Sequence, residues 1–104
     1  MTPDEIFDAM GEFVVRVFPD ATPADHMRKL SDESLESAEC TDDIMEFADC
    51  LLCIYGAAFK SGFSYTDLHA AAMRKLIINR ARKWRKLPDG TYQHIKNEGN
   101  DRKI

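Results

Sequence analysis

Four carboxylates stand in two matched pairs, Glu33 with Glu36 and Glu46 with Asp49. Each pair is spaced i,i+3, so its members share one face of a helix, where like charges repel. Glu46 and Asp49 are also the only charges between Asp43 and Lys60. A carboxylate in so apolar a stretch is costly unless it is paired or binds a cation. Thr41 lies midway between the pairs: Glu36 is five residues before it and Glu46 five after, Glu33 eight before and Asp49 eight after. In an antiparallel helix hairpin, residues equidistant from the turn lie at one height, here about 7–8 Å and about 12 Å from it. If the two faces meet, four carboxylates converge, and a cation relieves their repulsion. Oxygen-only ligands favour a hard ion such as Mg²⁺, which keeps water positions open for phosphates.

The bases lie elsewhere. Residues 20–49 hold ten acids and two bases, whereas residues 74–86 hold seven bases and no acid. The plainer reading is two solvated faces that attract one another. The matched carboxylate spacing favours the chemical one. Phosphoryl transfer asks chiefly for positioning and charge stabilisation. A cation held by carboxylates activates water and bridges phosphate oxygens, and nearby Lys and Arg neutralise a departing pyrophosphate.

Helical spacing prevails in the segments that must position these groups. In the first, about Pro3 to Phe18, Ile6, Phe7, Met10, Phe13, Val14, Val17 and Phe18 recur every three or four positions, and Pro19 stops it. The second runs from about Thr22, as N-cap with Pro23 at the first helical position, to Cys40. The third runs from about Thr41, again as N-cap, to Ser61. Asp42 and Asp43 fall in its first turn and Gly62 just past its end. Nearly every side chain in it is apolar or small, which predicts burial on most sides. The fourth runs from about Tyr65 to Lys86, opened by a Ser64–Asp67 capping box. Pro88-Asp89-Gly90 marks a turn, and from Thr91 onward the chain reads as polar and loosely held. No alternation is long enough for a sheet. The fold class is therefore all-α, a four-helix bundle, with one domain over residues 1–95 and a polar tail over residues 96–104.

The carboxylate pattern resembles the E-x-x-E…E-x-x-D signature of the all-α, MazG-like nucleoside triphosphate pyrophosphohydrolases. Lys75-Leu76-Ile77-Ile78-Asn79-Arg80-Ala81-Arg82-Lys83-Trp84 looks like the K-x-x-x-N-x-x-R-x-W stretch on the last core helix of that family. Leu87-Pro88-Asp89-Gly90-Thr91-Tyr92-Gln93-His94 is similar to the tail of its bacterial and phage dATP/dGTP diphosphohydrolase branch, and Ala21-Thr22-Pro23 fits that branch too. The resemblance covers residues 20–95. It implies Mg²⁺-dependent cleavage of a nucleoside triphosphate, leaning to dATP and dGTP, to the monophosphate and pyrophosphate, with Mn²⁺ as the other candidate ion. It implies that Glu33, Glu36, Glu46 and Asp49 hold the metal, and that Glu33 or Glu36 orients or deprotonates the attacking water. Lys75 and Arg82 would hold phosphates and Asn79 would position the substrate. By position alone, His94 follows the turn as a candidate to reach substrate, and Trp84 at the end of the basic helix reads equally as a base-stacking ring or as a cap on the core or an interface. The resemblance also implies a homodimer or homotetramer. Three departures stand out: Asp32-Glu33 where many relatives carry two glutamates, a link of only nine residues between the motifs, and the poor helix formers Ser34 and Ser37 beside the first.

The remaining candidates read as structural. Cys50-x-x-Cys53 lies mid-helix without the further ligands a zinc site needs, so its thiols are small core residues. His69, beside alanines, is structural as well. The chain has 104 residues with 18 acids and 14 bases, a formal net charge of −4. That argues against a nucleic-acid binder. No apolar run spans a bilayer, and the acidic N-terminus is no signal peptide. An odd count of three cysteines, two of them in an apolar run, suits a reducing cytoplasm. The competing class is a helical interaction or nucleotide-sensing module with the same fold and no turnover.

Overall fold

A computed structural model describes residues 1–96. Four helices follow in order, α1 (Pro3–Val17), α2 (Pro23–Glu39), α3 (Ile44–Lys60) and α4 (Tyr65–Ala81), then two short strands, β1 (Trp84–Lys86) and β2 (Tyr92–His94). The all-α expectation holds, and the hairpin corrects its last segment. The chain divides into two compact units at Ala70/Ala71, and α4 passes from one to the other.

In the first unit, α2 and α3 pack as an antiparallel pair and α1 packs on α3. The helix starts follow from their caps. Thr22 Oγ1 accepts from Asp25 N at 3.1 Å, while Asp25 Oδ2 accepts from Thr22 N at 2.9 Å. Ser64 and Asp67 close the same reciprocal box at 3.1 and 2.9 Å. The N-cap of α3 is Asp43 rather than Thr41: its Oδ1 accepts from Met45 N at 3.0 Å. A carboxylate outcompetes a hydroxyl at the positive end of the helix dipole. Gly62, at φ +88°, takes the left-handed position past the end of α3.

Phe7 and Val14 of α1 are fully buried. The Phe7 ring meets Tyr55 edge-on at 5.1 Å and lies 6.0 Å from Phe59. Tyr55 Oη is 3.3 Å from His69 Nε2, and the His69 ring lies 4.1 Å from that of Tyr65, so His69, though exposed, borders the aromatic cluster. At Gly11 a methyl group would overlap the Phe59 ring, so glycine is what lets α1 approach α3. Lys60 Nζ donates to the carbonyls of Phe18 and Ala21 at 2.5 and 2.6 Å, tying the end of α3 to the α1–α2 turn. Burial of α3 on most sides is not found in the single chain: Ile44, Met45, Phe47 and Leu51 are exposed, and only Tyr55, Gly56 and Ala57 are buried.

In the second unit, α4 ends at Ala81, not Lys86. The Trp84 indole Nε1 donates to Asn79 O at 3.0 Å, capping a last-turn carbonyl. The chain then pairs back on itself, with Trp84 opposite His94, Arg85 opposite Gln93 and Lys86 opposite Tyr92. The Pro88-Asp89-Gly90 turn closes the hairpin. Gly90, at φ +91°, donates to Leu87 O at 3.0 Å, and Asp89 Oδ1 accepts from Thr91 N and Oγ1 at 2.9 and 2.7 Å. Thr91 to His94 are thus paired or turn-bonded, not loosely held. Of the expected tail, residues 97–104 lie outside the described residues.

Candidate metal and nucleotide site

Glu33 on α2 and Glu46 and Asp49 on α3 each aim a carboxylate oxygen at one point, with those oxygens all within 4.8 Å of one another. The helix hairpin does this because its link is short, so the two acidic faces meet within three turns of it. Ser37 makes the close approach feasible. It is buried, and its Oγ donates to Glu33 O at 2.8 Å and sits 3.1 Å from Glu46 O and 3.3 Å from Cys50 Sγ. A residue that is poor for helix propensity is thus the small contact that holds the two motifs together.

Glu36 stands outside this group of three, although its charge still bears on Glu46. Burial, followed by the charges of Asp43, Glu36, Asp49 and Glu33, pushes the Glu46 carboxyl above its ordinary range. Its Oε2 is buried and has no hydrogen-bond partner among the described residues. Lys29 answers one carboxylate, lying 3.4 Å from Glu33 Oε1, and that carboxylate raises the Lys29 pKa. One ion pair whose ammonium is exposed to solvent answers only one of the three carboxylates. A hard divalent cation fits what remains: clustered oxygen donors and a buried oxygen in need of a positive partner.

Beside the carboxylates lies a cavity of about 380 Å³, lined by Met10, Val14, His26, Lys29, Glu33 and Asp49 among others. That volume falls within the range of about 300–1,000 Å³ typical of small-molecule sites. His26, Lys29 and Glu33 stand at i, i+3 and i+7, one stripe of α2. Neither His26 nor Lys29 stood out from sequence. The legible signal was their helical register with Glu33. Cys53 also lines the cavity, its thiol pushed up first by burial and then by Glu33. The three cysteines are free, and Cys50 and Cys53 are half-buried rather than enclosed in the core.

In the second unit, four of the expected substrate residues come together. Arg82 Nη1 donates to Asn79 Oδ1 at 3.3 Å, Trp84 bonds the Asn79 carbonyl, and the Trp84 and His94 rings meet edge-on at 6.0 Å. Lys75 lies one turn before Asn79 on α4. Trp84 and His94 are on paired strands rather than on a helix and tail.

No helix among the described residues is long and apolar enough to cross a membrane. A cyanophage S-2L MazG-like pyrophosphohydrolase, solved with dGDP and three catalytic Mn²⁺ ions per active site, is similar in structure. Its TM-score is 0.74 at 30% identity, over 92% of this chain and 99% of that one. A dATP/dGTP diphosphohydrolase of Salmonella phage PMBT28 is 37% identical over 82 residues, which is 77% of this chain and 27% of that relative's length. The family model of the dATP/dGTP pyrophosphohydrolases matches residues 6–101. By this match across nearly its whole length, the chain belongs to the dATP/dGTP pyrophosphohydrolase family.

Proposed function

We propose that this protein hydrolyses dATP and dGTP to the monophosphate and pyrophosphate with the aid of Mg²⁺ or Mn²⁺. The observation that carries this reading is the convergence of Glu33, Glu46 and Asp49 around a buried oxygen with no partner. The purine deoxynucleotide and Mn²⁺ in the cyanophage protein, and the name of the Salmonella phage relative, support both the substrate class and the ion. Glu33, Glu46 and Asp49 would hold the cation, with Glu36 completing the set. When bound, the ion would neutralise phosphate charge and make water more acidic.

This chain's own groups do the rest. Glu33 or Glu36 takes the proton from the attacking water, whose oxygen forms the new bond to phosphorus as the anhydride bond to the departing pyrophosphate breaks. Lys29, already drawn to the carboxylates, offers a positive charge at the cavity wall. Lys75 and Arg82 hold phosphate oxygens, and Asn79, Trp84 and His94 position the substrate. The apolar part of the cavity, with Met10 and Val14, excludes water and seats the base. The working form is a homodimer or homotetramer in the cytoplasm.

The test is a panel of the common ribo- and deoxynucleoside triphosphates with Mg²⁺ and with Mn²⁺, the products being resolved by chromatography. Monophosphate and pyrophosphate from dATP and dGTP are expected. Orthophosphate with a diphosphate left behind would overturn the reading.

A further inference from the structure

His26 is about nine-tenths buried on α2, lines the cavity beside the carboxylates, and carries a buried Nε2 without a hydrogen-bond partner among the described residues. An orphaned ring nitrogen in a core costs stability, since its desolvation is not repaid. The ring sits beside the α3 backbone at Gly56. On α3, Gly56 faces it, and a Cβ built there would lie 3.8 Å from Nδ1 and 3.2 Å from Val14 Cγ1. Such a group suits a ligand that supplies the missing partner.

The chemistry of that partner is constrained. Burial, and then the Lys60 ammonium, hold the His26 pKa below its ordinary value against the weaker pull of Asp25. The imidazole is therefore neutral near pH 7, with one N–H donor and one acceptor nitrogen. Which edge faces the cavity is decided by hydrogen bonding, because a ring flip interchanges them. Along the stripe His26–Lys29–Glu33, seven residues separate imidazole from carboxylate, about 10 Å along the axis. A nucleotide whose phosphates meet the carboxylate end has its base toward His26. Adenine and guanine differ at position 6, an amino donor in one and an oxo acceptor in the other, but share the N7 acceptor. A fixed donor aimed at position 6 would reject adenine, whereas one aimed at N7 admits both purines.

We infer that His26 is a specificity-determining residue whose imidazole N–H donates to N7 of the purine base, so that one neutral side chain accepts both dATP and dGTP. The inference rests on the pyrophosphohydrolase reading above and names the group that reads its substrate.

The experiment compares kcat/KM for dATP with 7-deaza-dATP and for dGTP with 7-deaza-dGTP, in which a C–H replaces N7, on the wild-type protein with Mg²⁺. A loss of about tenfold or more on each 7-deaza substrate is expected from one buried hydrogen bond. In His26→Phe the parent nucleotides should fall toward the 7-deaza values, and the penalty should shrink to within about twofold, as a shared interaction requires. His26→Gln, whose amide still donates, should keep part of the penalty. A merely structural histidine would lower all four substrates together and leave the ratio unchanged. Wild-type protein that cleaves the parent and 7-deaza nucleotides equally overturns the role of His26 and leaves the pyrophosphohydrolase reading intact. Wild-type protein that cleaves none of them overturns both. The wild-type comparison decides the matter even if the phenylalanine variant does not fold.

Discussion

Glu46 is the residue at which the site's purpose and the fold's interest part. Its raised pKa has burial as its first cause and four neighbouring carboxylates as the rest. For an acid raised in the folded state, stability is fully present below the unfolded pKa and is lost as pH rises through the folded one. Near neutral pH, Glu46 therefore costs stability when no cation is bound. Glu46→Gln should melt higher than wild type in EDTA at pH 7, and this advantage should vanish below the ordinary carboxylate range. The same variant should lose activity and shrink the stabilisation that Mg²⁺ gives wild type, about 2.7 kcal/mol at a hundred times its dissociation constant. A carboxylate paired for structure would show the reverse, since its removal strands a cation. Thermal melts with EDTA and with excess Mg²⁺ at about pH 3 and pH 7, on either side of the ordinary carboxylate range, separate the two.

Among the elements, the α1–α3 contact has the least tolerance. Phe59 lies over Gly11, where no side chain can stand without overlapping the ring. Gly11→Ala should destabilise the fold by about 1–3 kcal/mol, the usual range for overpacking, although alanine is the better helix former. Chemical denaturation reads this directly, and a gain in stability would mean that the two helices are less closely fitted than Phe7, Phe59 and Tyr55 imply. The α2–α3 contact shows the same preference for fit over propensity. Ser37 weakens α2 as a helix, yet its hydroxyl lies within hydrogen-bond distance of the Glu33 and Glu46 carbonyls and sets how near the two acidic faces come. Its place beside the motif was legible in the sequence. Its role was not, because nothing in helical spacing says which small residue lies at a crossing.

At the scale of the whole molecule, large apolar side chains stand exposed in both units. Leu35, Ile44 and Met45 of the first unit are 66–77% exposed, and Met73, Leu76 and Ile77 on α4 are 56–65% exposed. No residue of α4 is buried, although its apolar side chains recur at helical spacing. Patches of this kind mark interfaces, and closed two-fold symmetry is the commonest way to cover them. Light scattering at micromolar concentration should show a dimer or tetramer, and Ile77→Asp should shift it toward the monomer. A wild-type chain that is monomeric in solution would refute this assembly.

What the sequence determined by itself was local or periodic. The four helices, the Thr22 and Ser64 caps, the turn at Asp89-Gly90 and the meeting of the two acidic motifs all follow from spacing within a few residues or across one short link. The tertiary structure decided what depends on a particular neighbour. Asp43 rather than Thr41 heads α3, because the helix starts at Ile44 and the Asp43 carboxylate accepts from Met45 N. Trp84 turned the chain out of α4 by taking the Asn79 carbonyl, and the strands then paired through backbone atoms that side-chain periodicity does not record. The meeting of Glu33 with Glu46 and Asp49, with Glu36 outside the group, reflects where α2 and α3 cross at Ser37. His26 gained its significance only when α2 placed its ring against Gly56 of α3, because burial without a partner is a property of an environment built from distant segments.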